Sequence, residues 1–217
     1  MSGVRTLSLL DDAMAEEFAW RKKELHELKS RVHLERRNQH GNTYIRCAVA
    51  LLYAHWEGFI KAIATHYLEY VSRLQLRHEE LSGEFLALAS AGRVTRAMST
   101  ESPRSHVALV AFFRNEMPNR SAIPWRGKVK TRSNLKSTVL REIVEMLGLD
   151  YGPFQTKEKL IDERLVDSRN SIAHGHYLLL DRHRYLELHE QILSLMQEFN
   201  DQIARAATTE AFRVTPE

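Results

Sequence analysis

Residues 43–74 read TYIRCAVALLYAHWEGFIKAIATHYLEYVSRL, and this stretch decides the fold class. Ile45, Val49, Leu52, Trp56, Phe59, Ile63 and Tyr70 recur at intervals of three, four and seven. That spacing lays one apolar stripe along a helix. Some thirty helical residues measure about 45 Å at 1.5 Å per residue, long enough for the spine of a helical bundle. Strict alternation of apolar and polar residues, the mark of a half-buried strand, is almost absent from the chain.

Working outward, a helix is expected from about Ser8 to Val32. Asp11, Asp12, Glu16 and Glu17 come early in it and basic residues late, the polarity that suits the helix dipole. Shorter helices are expected near Glu84–Met98 and His106–Glu116, punctuated by Pro103 and Pro118. Asn119 to Ser133 reads as a loop, and Leu135 to Leu147 as a helix stopped by Gly148. After a turn at Tyr151-Gly152-Pro153, Thr156 is placed to cap a helix running to about His174 and ended by Gly175. A last helix spans about Arg182 to Ala207, with a frayed tail from Thr208. The expectation is an all-α chain, residues 1–217 forming one domain. Its antiparallel bundle has core helices near 8–32, 43–74, 156–174 and 182–207, and about 80–150 is a helical and loop insertion between the two halves.

Composition narrows the function classes. The chain has 217 residues, and 31 Lys and Arg against 28 Asp and Glu leave a net charge of +3. So small a surplus does not by itself imply nucleic-acid binding. A lone cysteine, Cys47, excludes an internal disulfide and a cysteine-based zinc site, and its apolar setting suggests burial. His33, His40, His55 and His66 lack the partners a histidine-based metal site needs, so no metal is expected. Trp20, Trp56, Tyr67 and Tyr70 read as packing residues. The N-terminus lacks the pattern of a signal peptide, and the longest uncharged apolar run, 47–56, is half of the ~20 residues a bilayer span needs. A soluble cytoplasmic protein that does not engage a membrane is expected.

The segment with chemical content is Asp167-Ser168-Arg169-Asn170-Ser171-Ile172-Ala173-His174-Gly175. The spacing of Arg169 and His174 recurs at Arg21–His26, Arg73–His78 and Arg184–His189, so spacing alone does not choose among them. At about 100° per residue, Ile161, Leu165, Ser168 and Ile172 form the core-facing stripe of this helix. Asn170 and His174 then point away from that core, with Arg169 at the border. Two readings stay open at this level. The trio meets a substrate or a second subunit; or His174 and Gly175 merely finish a helix and Arg169 pairs with an acid.

Arg169-Asn170-Ser171-Ile172-Ala173-His174-Gly175 resembles the signature of the HEPN superfamily, an Arg followed after four to six residues by a His. Tyr53-Ala54-His55-Trp56-Glu57-Gly58-Phe59-Ile60-Lys61 resembles the early long helix of the RiboL-PSP/MAE-type HEPN subgroup, and the two motifs occur in that group's order. The resemblance does not extend across about 80–150. It implies a metal-independent endoribonuclease, a toxin or antiviral-defence effector, with RNA as substrate and no cofactor. His174 would be general base or acid, Arg169 the phosphate clamp and Asn170 an orienting residue. It also implies a homodimer with both motifs lining one cleft, and an antitoxin or defence partner protein. Some HEPN toxins carry a tyrosine two residues after the His that a partner enzyme modifies. Here that place is taken by His176, with Tyr177 one residue later, which puts such regulation in doubt. Many family members have lost catalysis, so the alternative is a non-catalytic HEPN module that binds RNA, a nucleotide or a protein.

Two further features are candidates for support. Arg120, Arg126, Lys128, Lys130, Arg132 and Lys136 lie within 119–136 without an acid, with Trp125 among them. A flexible basic loop of this kind either tracks a phosphate backbone and stacks a base or is simply a solvated surface. Glu57 sits beside an apolar stripe, where a carboxylate usually needs a partner; it either pairs with Arg169 or Arg46 and sets a guanidinium, or points to solvent.

Overall fold

The computed structural model of the chain describes residues 3–34 and 39–214. Residues 1–2, 35–38 and 215–217 and the side chains of Gln39 and His40 lie outside them, and with them the reading of His40. The described residues contain helices and no β-strand, with two isolated bridges, Arg77 to Arg120 and Leu81 to Arg213. The chain is all-α.

Helix α1 (Leu7–Leu34) and α2 (Gln39–Leu74) pack along each other, and α8 (Arg182–Thr208) packs on both. Between them come α3 (Gly83–Met98), α4 (Pro103–Asn115), α5 (Ser137–Met146), the short α6 (Gly152–Gln155) and α7 (Ser168–Ala173). The stripe along α2 is the spine of the core: Leu52, Trp56, Phe59 and Ile63 are fully buried. Burying each such side chain stabilises by roughly 1.5–3 kcal/mol. Gly41–Leu74 is long and apolar enough by length and composition to cross a bilayer, yet just over half of its apolar window is buried within the fold, as suits a core helix.

Several expectations are corrected. Cys47 is exposed, because two residues at ~100° each turn it away from Ile45 and the stripe. Trp20 is 46% exposed; its ring covers the guanidinium of buried Arg21 at 4.3 Å and lies 5.2 Å from His55. Pro103 opens α4 rather than preceding it, since the first helical turn needs no N–H there. Tyr151-Gly152-Pro153 leads into α6 instead of a turn, and Thr156 closes α6 in place of capping the next helix. The tail is anchored, not frayed, through residue 214. Phe212 is fully buried against Tyr67, Tyr70 and Phe85, and the Val214 N–H donates to the Glu80 carbonyl at 3.0 Å.

The insertion is part of the one core. Phe85, Ile123, Val129, Leu135, Leu140 and Val144 join the same buried cluster as α1, α2 and α8. Its loop is pinned as well: Ser121, Ile123, Val129, Thr131 and Leu135 are buried in turn, so the basic residues alternate with anchors. The loop is therefore not a freely flexible one.

Of the three buried histidines, His55, His78 and His189, two carry a shifted proton affinity, His55 and His189. His55 lies 3.1 Å from Glu24 Oε2, with Arg21 nearby, and His189 Nε2 is 3.1 Å from the Leu25 carbonyl oxygen, with Glu190 and Lys29 nearby. Burial lowers both imidazoles below their ordinary 6.5, outweighing the opposing pull of the two glutamates. Each binds a proton more readily in the unfolded chain, so the stability they hold is complete above about pH 6.5 and lost as pH falls through the folded value. The thermal midpoint should fall between pH 7.5 and 5, and the His189→Gln variant should show a shallower fall. A flat midpoint over that range contradicts this.

Candidate active site

The backbone leading to the candidate site departs from an α-helix. Leu160–Asp167 is π-helical and runs directly into α7. A π-helix bonds i to i+5 and widens each turn, and the buried residues recur at that step: Leu160 and Leu165, Ile161 and Val166. The wider turn shifts every later side chain off the 100° wheel. Ser168 and Ile172, expected on the buried stripe, are only half-buried, and Arg169 turns inward over α2.

Arg169 rests on an aromatic seat. Its guanidinium carbon is 3.8 Å from the centroid of the Tyr53 ring, a cation–π contact with stacking geometry available to a planar guanidinium. Its Nη2 donates to the Ser133 carbonyl oxygen at 2.8 Å and to Asn134 Oδ1 at 3.4 Å. Arg has five N–H donors, and Nη1 has no partner among the described residues. Asn170, expected to face away from the core, is half-buried and donates from Nδ2 to the same Asn134 oxygen at 3.3 Å. The π-helical turn accounts for that change of face.

Tyr53 is buried and is itself held in place. Its hydroxyl oxygen accepts the Leu135 N–H at 2.8 Å. Burial raises the phenol above its ordinary 10.0; Glu57 adds to the rise, while the Leu135 N–H and Arg169 oppose it. Glu57 therefore neighbours Tyr53, one turn before it on α2. Of the two readings of Glu57, the pairing one is not met: among the described residues it makes no ion pair with Arg169 or Arg46.

The end of the basic loop completes the seat. Arg132 and Ser133 both adopt left-handed backbone, φ 55° and 53°, a conformation that costs a non-glycine residue about 1–2 kcal/mol. The turn brings the Ser133 carbonyl to Arg169. The following residues are tied to the helix that carries the motif. Lys136 pairs with Asp167 at 3.1 Å, and Asp162 accepts from both the N–H and the hydroxyl of Ser137 at 2.7 Å.

His174 stands exposed at the end of α7. Gly175 follows at φ 75°, donating to Ile172, while the His176 N–H donates to Ser171 at 2.9 Å. This pair of bonds is a Schellman closure, which requires the left-handed conformation that glycine adopts without penalty. The helix thus ends with its last side chain, His174, in solvent beside His176, ring centroids 6.4 Å apart.

The other proposed cations are dispersed. Arg120 donates to the Gln75 carbonyl at 3.1 Å, and Arg132 pairs with Glu142 at 2.6 Å. Trp125 is half-buried against the core, with the Arg126 guanidinium 4.9 Å and the Arg73 guanidinium 6.0 Å from its ring. Lys128 and Lys130 make no ion pair among the described residues. Among those residues no three or more His, Cys, Asp or Glu side chains converge as metal ligands. Of the four Arg–His pairs, Arg21, Arg73 and Arg184 lead to His26, His78 and His189. His78 and His189 are buried, so only Arg169–His174 and Arg21–His26 present an exposed imidazole.

A family model described as HEPN_MAE_28990-like HEPN matches residues 10–212. The chain belongs to this HEPN family. The match runs through the insertion as well as the two halves of the bundle, so the basic loop and its Ser133–Asn134 turn lie within the matched span of this HEPN domain. No curated protein and no solved structure matches the chain. The sequence motifs contained Tyr53 but assigned it no role, and they did not include Ser133 or Asn134. The signal for Tyr53 was available: it lies one turn from Trp56 and Val49 on the same α2 face. Nothing in the local pattern at Asn134 announced its contact across 36 residues.

Proposed function

We propose that this HEPN domain is an endoribonuclease acting on RNA by internal transesterification. The observation that carries the reading is an arginine seated on Tyr53 with Nη1 unengaged, on the same helix as a solvent-facing His174. The ribose 2′-oxygen attacks the adjacent phosphorus, the bond to the 5′-oxygen breaks, and a 2′,3′-cyclic phosphate and a 5′-hydroxyl result. The proton leaves the 2′-hydroxyl and one is given to the departing 5′-oxygen. An imidazole suits either transfer near neutral pH. The Arg169 guanidinium stabilises the charge on the phosphorane oxygens.

One imidazole serves one transfer at a time, so two copies of the chain facing each other would supply both roles. Arg126, Lys128 and Lys130 would track the phosphate backbone leading to the cleft. The activity fits a toxin or defence effector controlled by a partner protein. The wild-type chain should cut single-stranded RNA or tRNA in the presence of EDTA and leave cyclic-phosphate 3′ ends by mass spectrometry. An RNA with a single 2′-deoxy residue at the cut should survive. Binding without scission over broad RNA substrates would instead mark a non-catalytic module.

A further inference from the structure

We infer that Tyr177, braced by Arg46 and Asn42, is a stacking platform for a nucleobase of single-stranded nucleic acid. The inference rests on the proposed action on RNA and names how that substrate is held. Tyr177 is 76% exposed, three residues after His174. Three residues span no more than about 11 Å, so the ring lies beside the candidate site. Its phenol is tied to the start of α2. The Tyr177 hydroxyl oxygen accepts from Asn42 Nδ2 at 3.4 Å, and Asn42 Oδ1 accepts the Leu180 N–H at 3.3 Å. Arg46 donates to the His176 carbonyl at 3.1 Å while its guanidinium carbon sits 5.9 Å from the Tyr177 ring centroid.

The segment after the motif is thus fastened to the start of α2 at residues 176, 177 and 180, with an aromatic ring left uncovered. An exposed, oriented ring loses little freedom when a flat partner stacks on it. Every base has a π-face, so such a platform accepts single strands without reading sequence. Its neighbours favour nucleic acid over a protein partner: Arg46, His174 and His176 are cationic or polar, whereas the centre of a protein interface is depleted of charge. Leu179, two residues further on, is 75% exposed. Trp125 cannot serve in the same way, being half-buried and flanked by two guanidiniums.

The test compares the full-length wild type with Tyr177→Ala and Tyr177→Phe. For cleavage of single-stranded RNA, Tyr177→Ala should raise KM roughly ten- to a hundredfold with kcat nearly unchanged. Tyr177→Phe, which loses the Asn42 bond but keeps the ring and its Arg46 contact, should restore most of the loss. Binding of an all-2′-deoxy oligonucleotide, which cannot undergo the proposed cleavage, should weaken by the same factor in Tyr177→Ala. Unchanged KM and binding overturn the platform while leaving the nuclease reading standing. A change of oligomeric state in Tyr177→Ala, seen by sedimentation, makes the ring a contact between copies and also overturns it. Tyr177-dependent binding by a wild type that cuts no RNA sustains the platform and removes the nuclease. If the wild type neither binds nor cuts, both fall.

Discussion

RNA cleavage by the His174→Ala variant is expected to fall by about 10²–10⁴, the usual contribution of a positioned proton-transfer group, while the thermal midpoint stays where it was. The two halves of this expectation have separate causes. Stability is spared because the imidazole is exposed and the fold uses only the backbone of residue 174, whose N–H donates to Asn170 at 3.0 Å. Alanine keeps that bond, and an exposed substitution of this kind changes stability by roughly 0.5 kcal/mol at most. Activity is lost because no other exposed imidazole on α7 takes over; His176 lies beyond the helix end, its ring 6.4 Å away. Initial rates on single-stranded RNA, with melting curves on the same samples, decide it. Cleavage equal to wild type removes His174 from the mechanism.

Removing the seat of the arginine should strike stability and activity together. Tyr53 is 4% exposed, and Tyr53→Ala opens a cavity that costs about 3–5 kcal/mol by analogy with other large aromatic truncations. The Leu135 N–H, which Tyr53 satisfies at 2.8 Å in a buried setting, loses its acceptor too. Tyr53→Phe separates the effects. It keeps the ring under the guanidinium but leaves the buried Leu135 N–H unsatisfied, a cost of about 1–3 kcal/mol, and removes the hydroxyl's bond to Glu57. Below its melting temperature it should retain near wild-type kcat, because the cation–π seat survives. Tyr53→Ala, assayed where chemical denaturation shows it folded, should lose most of its kcat because Arg169 is no longer held against Ser133 and Asn134. A folded Tyr53→Ala chain with full activity would show that the seat does nothing for the reaction.

The bundle was legible because its long helices carry strong apolar periodicity: the α2 stripe from Ile45 to Tyr70 and the α8 residues Leu188, Ile192, Leu195, Met196 and Phe199 are buried as their spacing implies. Element type follows from the chain alone when one side of a helix is apolar over many turns. The faces of shorter segments were less legible. A 100° wheel describes the α-helix, and the helix leading to Arg169 is π-helical over Leu160–Asp167, so the wheel misplaced Ser168 and Asn170. Polarity also misled where tertiary contact overrides it. Arg21 is buried under Trp20, whereas Cys47 and Trp20, both apolar, face solvent.

What the amino-acid sequence determined by itself was the class of the fold, the order of its long helices and the helix end that carries Arg169 and His174. Those properties depend on neighbours within a turn or two, where spacing and residue type are sufficient. Only the tertiary structure decided what Arg169 rests on, which acceptors hold it and which aromatic ring beside the motif stays exposed. Tyr53, Ser133 and Asn134 reach Arg169 from parts of the chain far apart in sequence. Contacts of that range are set by how the helices pack, and packing is a property of the whole core rather than of any local stretch.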